Sequence, residues 1–317
     1  MKNSIYLFLI LGFMACAQPE HRAENESEKT EVKLIVLGTV QDAGSPHIAC
    51  TKGCCTDLIA NPDHTRKVVS LGIVDELNKQ TYLFEATPDM PAQLKMLVGH
   101  SGFQAKELSN GIFLTHAHIG HYTGLMYLGK EAINAVELPV YAMPRMDSFL
   151  RNYGPWSQLV HSQNIYLNRI TARDTIDLND QLKVIPFRVP HRDEYSETVG
   201  YKVIGPNKAV LFIPDIDKWS KWEHSIANEI SQVDYAFVDA TFYDGDEIKS
   251  RDISQIPHPF VIESMELLKG LVADERSKVH FIHFNHTNPL LDSTSNAYHN
   301  VLKKGFNIAQ FNQVLEL

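Results

Sequence analysis

Short apolar runs recur along the chain after residue 31, separated by polar stretches rich in Gly, Pro, Asn and Asp. Short runs bounded by turn residues favour strands, whereas apolar positions spaced three and four apart favour helices. The pattern predicts strands at 32–37, 68–74, 81–86, 111–115, 139–142, 182–189, 198–204, 209–213, 235–239, 279–284 and 307–311. It predicts helices at 91–98, 122–135, 144–152, 219–230, 259–271 and 294–303.

The order of these elements narrows the fold class. The predicted strands between residues 182 and 213 follow one another without intervening helices, which a strictly alternating doubly wound sheet would not do. Hairpins mixed with helices in both halves favour an α/β protein of the αββα sandwich type, with two mixed sheets face to face and helices outside. We expect residues 31–317 to form this domain.

The first thirty residues have a different character. Lys2 precedes the apolar run 5–11, and Cys16 follows a small residue soon afterwards. A charged start, a short apolar stretch and a small residue before the processing point are typical of a secretory signal. Residues 1–16 resemble a bacterial lipoprotein signal with Cys16 as the lipidation site, and an ordinary cleaved signal is the alternative. The polar segment 17–30 is expected to be a flexible tether.

Composition and charge restrict the partners. Hydrophobic residues make up 44% of the chain and charged residues 21%, as in folded globular proteins. The formal net charge of −9 argues against a nucleic-acid partner, because binding to a phosphate backbone depends on Lys and Arg. We expect a small-molecule substrate, with a lipid anchor as the link to a membrane of the cell envelope.

Three histidines at the end of a predicted strand carry the strongest chemical signal. In the segment Leu-Thr-His-Ala-His-Ile-Gly-His, His116 and His118 are two residues apart, so in extended backbone they project to the same side. His121 follows as the chain turns. Imidazole nitrogen is a common zinc ligand, and this spacing therefore predicts a metal site.

This segment resembles the His-x-His-x-Asp-His motif of the metallo-β-lactamase superfamily, and the remaining family motifs follow in order. His191, Asp215 and His283 each come at the end of a predicted strand. The resemblance implies that one metal is held by His116, His118 and His191, and a second by His121, Asp215 and His283, with Asp215 bridging.

Later segments resemble the branch that contains the pyrroloquinoline-quinone biosynthesis protein PqqB and the cyclic phosphodiesterase PhnP. The segments 215–219, 239–243 and 283–289 carry this likeness. It places His258 near the cavity as a proton donor or substrate contact, although a plain loop histidine is an alternative. Asp239 would orient a ligand imidazole or cap its strand.

The three remaining cysteines are clustered near the start of the predicted domain. Cys50, Cys54 and Cys55 are odd in number and close together, which favours a metal site over a disulfide framework. The alternative is one local disulfide with a spare thiol. By resemblance to PhnP-like proteins, His286 would be the fourth ligand of a structural zinc; otherwise it supports the active site by hydrogen bonding.

One position departs from the family motif. Gly120 stands where the family has aspartate, and glycine has no ligand atom. Either the second metal site is weak or another carboxylate replaces the missing one, and Asp42, Asp89 and Asp193 are the candidates. An aspartate introduced at position 120 is expected to strengthen the second site.

The resemblance implies a hydrolase that uses a metal-bound hydroxide on a phosphodiester or related ester, with Asp215 and His258 as catalytic residues. Zinc is the expected cofactor, with one or two ions in the active site and one structural ion; iron and manganese are alternatives. A PqqB-like oxygenase or quinone-biosynthesis protein is the second interpretation. A metal-containing binding protein with a degenerate second site is the third.

Overall fold

Two mixed β-sheets packed face to face form the centre of the molecule. The computed structural model describes residues 32–192, 194–248 and 253–317. Within these residues each sheet has seven strands, and helices cover the outer faces of both. This is the predicted αββα sandwich. The signal, the lipidation site Cys16 and the tether lie outside the described residues.

The first sheet comes mainly from the first half of the chain. Its strands are β1 (Val32–Gly38), β2 (Ser70–Asp75), β3 (Gln80–Phe84), β4 (Gly111–Phe113), β5 (Leu138–Ala142), β6 (Ile165–Arg169) and β14 (Val314–Glu316). Their order is β14-β1-β2-β3-β4-β5-β6. Neighbours are antiparallel from β14 to β3 and parallel from β3 to β6.

The second sheet comes from the second half. Its strands are β7 (Ile176–Asp177), β8 (Lys183–Arg188), β9 (Val199–Ile204), β10 (Ala209–Ile213), β11 (Tyr235–Asp239), β12 (Val279–Ile282) and β13 (Asn307–Ile308). Their order is β13-β12-β11-β10-β9-β8-β7. Strands β10 to β13 are parallel, whereas β7 to β10 form antiparallel pairs.

The helices of the described residues are short. They are α1 (Gly53–Ala60), α2 (Met90–Gly99), α3 (Ile119–Tyr122), α4 (Pro144–Asn152), α5 (Trp156–His161), α6 (Ile226–Ile230), α7 (Val261–Leu267), α8 (Ala273–Ser277) and α9 (Asn296–Lys303). None of them is long and apolar enough to cross a bilayer.

An aromatic core between the sheets holds the base of the histidine segment. Phe84 and Phe113 stack with ring centroids 4.9 Å apart, and Tyr201 from the opposite sheet meets both edge-on. The buried Tyr201 hydroxyl donates a hydrogen bond to the carbonyl of Leu114. Because this carbonyl lies two residues before His116, the core fixes the point at which the histidine segment leaves its strand.

The predicted helix 122–135 is wrong. The chain instead forms α3 and a 3₁₀ helix, Thr123–Leu128, and then turns. The 3₁₀ segment lies very close to the loop after β3, and a β-carbon on Gly124 would lie 2.2 Å from the carbonyl oxygen of Thr87. Tertiary contact with this loop therefore decides the local structure. The predicted helix 219–230 is likewise split into a 3₁₀ turn, Trp219–Lys221, and α6.

Candidate metal centre

Loops at the carboxyl ends of strands from both sheets converge on one cluster of polar side chains. His116 follows β4, His191 follows β8, Asp215 follows β10 and His283 follows β12. The carboxyl ends of parallel strands open at the same edge of a sheet, which is where α/β proteins usually bind ligands. The structure brings the predicted residues together, although they are far apart in the sequence.

The first group of donor atoms comprises His116, His118, His191 and Asp215, whose potential ligand atoms all lie within 4.8 Å of one another. His118 Nδ1 is 2.8 Å from His116 Nε2 and 3.3 Å from His191 Nε2. The carboxylate oxygen Oδ2 of Asp215 is 3.1 Å from His191 Nε2 and 3.4 Å from His116 Nε2. Zinc bonds of about 2.0–2.1 Å in a tetrahedral site place donors roughly 3.3 Å apart, so the spacing fits such an ion.

The second group comprises Asp42, His121, Asp215 and His283. Asp42 Oδ1 is 2.8 Å from His121 Nε2 and 3.2 Å from His283 Nε2. Asp215 Oδ2 is 3.9 Å from His121 Nε2. The same carboxylate therefore belongs to both groups, in the bridging position that the sequence predicted.

His258 lies beside the bridging carboxylate. Its Nδ1 donates a hydrogen bond to Asp239 over 2.8 Å and is 3.2 Å from Asp215 Oδ1. Asp215 Oδ1 is buried and forms no hydrogen bond with any described residue. A buried carboxylate oxygen without a hydrogen-bond partner is costly, and a bound cation would satisfy it.

Polar neighbours hold the imidazoles in place. The hydroxyl of Thr115 is 2.8 Å from His116 Nδ1, Asp217 Oδ1 is 3.2 Å from His191 Nδ1, and the hydroxyl of Thr241 is 2.9 Å from His283 Nδ1. Asp239 supports two of the histidines. It accepts hydrogen bonds from both the amide and the hydroxyl of Thr241. Asp239 thus acts on His283 through Thr241 and on His258 directly, which agrees with the orienting role predicted for it.

The acid–base properties of the donor side chains differ. Burial and the neighbouring His121 hold the pKa of His116 well below its usual value, so this imidazole is neutral, as a ligand must be. Burial raises the pKa of Asp215, but His191 and His258 more than offset this and keep the carboxylate ionised. The pKa of Asp42 is also well below its usual value, because His121 and His283 outweigh the effect of burial.

Burial lowers the pKa values of His121, His191 and His283, but neighbouring carboxylates more than offset this and raise them, that of His191 to about 9. These imidazoles would have to release a proton on binding a cation.

Glu85 was missed by the sequence reasoning. It follows β3, is fully buried, and its Oε2 is 3.5 Å from His121 Nδ1. Burial raises its pKa, and its carboxylate oxygens form no hydrogen bond with described residues. Both Glu85 (φ 79°) and His283 (φ 71°) have left-handed backbone conformations, which are uncommon for residues other than glycine. The available signal was an acidic residue inside the apolar strand predicted at 81–86.

The structure separates two of the three candidates for the carboxylate that position 120 lacks. Asp42 belongs to the second group, whereas Asp89 accepts a hydrogen bond from the Val68 amide and lies 3.5 Å from Lys67 Nζ. Asp193 lies outside the described residues. Asp42 is therefore the described candidate that reaches the centre.

The cysteine cluster is a separate group of donor atoms. Cys50, Cys54, Cys55 and His286 have potential ligand atoms within 4.8 Å of one another. The sulfur of Cys54 is 3.9 Å from those of Cys50 and Cys55, and all three cysteines are free, so the disulfide alternative is wrong. The backbone amide of His47 donates to the sulfur of Cys55 over 3.2 Å.

The protonation of this cluster depends on whether a cation is bound. Burial and the neighbouring thiols raise the pKa of Cys54 to about 12, so this thiol would lose its proton at neutral pH only on binding a cation. Burial and the nearby His47 lower the pKa of His286 to about 4, which leaves its imidazole neutral. Three thiolates and one imidazole are a typical donor set for structural zinc.

Comparison with known proteins identifies the family. A model of the β-lactamase superfamily domain matches residues 80–284. The chain belongs to the β-lactamase superfamily. Among curated relatives, coenzyme PQQ synthesis protein B of Ruegeria pomeroyi is 21% identical over 303 residues, covering 88% of this chain and 97% of that protein. The Pseudomonas putida protein of the same name is 24% identical over 312 residues, covering 90% and 99%.

Two solved structures share the fold of this chain. Zinc-bound PqqB from Methylobacterium extorquens superposes with a TM-score of 0.73 at 20% identity, covering 90% of this chain and 100% of that one. A diphosphatase of the PhnP family superposes with a TM-score of 0.59, also at 20% identity, covering 90% and 97%. These likenesses establish the metallo-β-lactamase fold.

Proposed function

We propose that this member of the β-lactamase superfamily is a zinc-dependent hydrolase of phosphodiesters or related phosphate esters. The observation that carries the proposal is the pair of donor groups sharing Asp215, with a donor spacing that suits two adjacent ions. A divalent cation in such a site would lower the pKa of a bound water to about 7 and would polarise the substrate oxygen.

His258 is the proposed proton donor. Its Nδ1 is engaged by Asp239, so Nε2 is the nitrogen available for substrate. Burial lowers its pKa, but Asp239 and Asp215 raise it well above the usual value, which keeps the imidazole protonated. In hydrolysis the water oxygen would bond to phosphorus and the phosphorus–oxygen bond to the leaving alcohol would break. The departing oxygen would take a proton from His258, and the proton released by the attacking water would restore His258.

A cavity of about 650 Å³ beside His191 supports an anionic substrate. Among the residues that line it are four cationic side chains and two carboxylates, so the lining is basic although the whole chain is acidic. The cations are Arg145, Arg173, Arg188 and Lys221. Of the histidine-centre residues described, His191 alone borders this cavity, which suits a pocket for a substrate group beyond the scissile bond.

The test combines metal analysis with a substrate panel. The purified chain should contain zinc and hydrolyse an activated phosphodiester such as bis(4-nitrophenyl) phosphate faster than a carboxylic ester or a lactam. Dialysis against a chelator should remove this activity and added zinc should restore it. A zinc-loaded protein that hydrolyses none of these substrates would refute the proposal.

A PqqB-like oxidative function is the second candidate, because the curated relatives reported above are PQQ synthesis proteins. The complete pair His116 and His118, which together with His191 and Asp215 offers four donors for one ion, favours hydrolysis. Iron in the purified protein, together with oxygen consumption that depends on it, would favour the oxidative function.

We also propose that the protein is a lipoprotein of the cell envelope that acts on a small molecule. The support is the sequence of residues 1–16 and the position of Cys16. A Cys16→Ala variant should lose incorporation of labelled fatty acid and leave the membrane fraction. Unchanged labelling would exclude Cys16 as the lipidation site.

A further inference from the structure

Asp42 occupies the space beside His121 that a side chain at position 120 would need. A β-carbon on Gly120 would lie 2.3 Å from Asp42 Cα, 2.7 Å from its Cβ and 2.9 Å from its Cγ. Non-bonded carbon atoms rest at about 3.5–4.0 Å, so a side chain at position 120 cannot coexist with Asp42 in its present position. The place that an aspartate at position 120 would need is therefore already filled by a carboxylate from another part of the chain.

The backbone around Asp42 is held against the segment that carries His283. The amide of Phe284 donates to the carbonyl of Thr39, and the amide of Gln41 donates to the carbonyl of Phe284, each over 2.8 Å. Val40 forms parallel β-bridges with both Phe284 and Val68. Asp42 thus follows directly after backbone that is hydrogen-bonded to the neighbour of a predicted ligand, and its side chain reaches the centre from a fixed base.

The carboxylate also has the contacts of a ligand. Its Oδ1 lies within about 3.2 Å of the Nε2 atoms of both His121 and His283, the two imidazoles that belong to the second group alone. The Asp42 side chain is 13% exposed, so little water competes for this oxygen. A cation between the two imidazoles would meet Asp42 as its third donor and Asp215 as its fourth.

We propose that Asp42 is the non-bridging carboxylate ligand of the second metal site, and that position 120 is glycine because Asp42 occupies the space of a side chain there. The inference deepens the proposed function and rests on it, since it assumes two ions in the histidine centre. It also corrects the expectation from sequence that an aspartate at position 120 would strengthen the site.

The first experiment measures zinc per chain and the affinity of the second ion by chelator competition in the full-length protein. Asp42→Ala and Asp42→Asn should each hold one zinc fewer than the wild type, or bind the second ion more than about 100-fold more weakly. This loss is larger than that caused by changing a residue that only hydrogen-bonds to a metal ligand. Asp89→Ala is the matched control and should keep the wild-type zinc content. Circular dichroism establishes that each variant is folded.

The second experiment tests the competition for space through a double-mutant cycle. Gly120→Asp in the wild-type background should weaken the second site, because the new side chain overlaps Asp42. In an Asp42→Gly background the same substitution should cost less or strengthen binding, because the overlaps with Asp42 Cβ and Cγ are gone and only that with its Cα remains. Equal weakening in both backgrounds would contradict mutual exclusion between the two side chains.

The outcomes separate this inference from the proposed function. If the wild type holds two ions at the histidine centre and Asp42→Ala holds two with unchanged affinity, the inference is wrong and the hydrolase proposal stands. If the wild type holds no ion at the histidine centre, the proposed function fails first and the inference fails with it. Loss of one ion in Asp42→Ala but not in Asp89→Ala supports both.

Discussion

The histidine centre and the cysteine cluster are two candidate metal sites built in opposite ways. The histidine centre collects buried side chains from loops after β4, β8, β10 and β12, and so depends on the packing of both sheets. The cysteine cluster takes its three sulfurs from residues 50–55, on a partly exposed loop and the start of α1. The histidine centre therefore forms only when both sheets have packed, whereas the cysteine cluster needs only a short loop and one distant histidine.

The donor types point to different tasks. Three thiolates and one imidazole complete a tetrahedral ion and leave no position for substrate, as in structural zinc sites. Imidazoles and carboxylates arranged around a shared Asp215 suit ions that also bind water and substrate. The comparison shows that the types of donor atom and the burial of a site together predict whether a bound metal would be catalytic or would stabilise a loop.

The largest expected effect comes from the histidine centre. Replacing His116 and His118 together with alanine should lower turnover at least about 1,000-fold, since metal assistance supplies several kcal/mol. The cysteine cluster should still hold its ion, which metal analysis will show as reduced but not zero zinc. A double variant of the exposed His161 and His299 is the matched control. Retained turnover without the two motif histidines would remove the proposed mechanism.

An intermediate effect is expected at the cysteine cluster. Cys54→Ser should lower the free energy of unfolding by several kcal/mol, on the order of 10 °C in Tm, because bound structural zinc adds directly to folding free energy. Turnover per folded, zinc-loaded histidine centre should fall much less. Thr51→Ala in the same exposed loop is the control. An unchanged Tm in Cys54→Ser would show that the cluster does not stabilise the fold.

The smallest effect is expected at Glu247, whose carboxyl group lies next to the segment 283–287 that joins the histidine centre and the cysteine cluster. Glu247 accepts hydrogen bonds from the amide of Tyr243 and the hydroxyl of Thr287, and burial raises its pKa to about 7. A carboxyl pKa above the unfolded value of about 4.3 stabilises the fold at low pH, and this contribution is lost as pH rises from about 4 through 7.

Glu247→Gln removes this titration. Unfolding by denaturant should show that its stability depends less on pH between 5 and 8 than that of the wild type, with a gain of about 1–3 kcal/mol at pH 8. The neighbouring exposed Asp246→Asn variant is the control, because its side chain faces solvent. Parallel pH profiles for wild type and Glu247→Gln would contradict the raised pKa.

Much of the fold and most of the site could be predicted from the sequence, because short apolar strands end in chemically distinctive residues. The strand predicted at 209–213 matches β10, and the predicted bridging residue Asp215 lies just beyond it. Asp42 could not be chosen over Asp89 in advance, since its contact with His283 spans 241 positions and depends on how the sheets meet. The helix predicted at 122–135 failed because contact with the loop at Thr87 overrides local periodicity.

The number of residues between His283 and His286 restricts insertions and deletions in this part of the chain. His283 belongs to the histidine centre and His286 to the cysteine cluster, so the two residues between them serve as a spacer of fixed length. One residue added or removed there would pull an imidazole away from one of the clusters. Relatives that keep all three cysteines should therefore show no gaps in this turn, whereas relatives without them are free to vary its length.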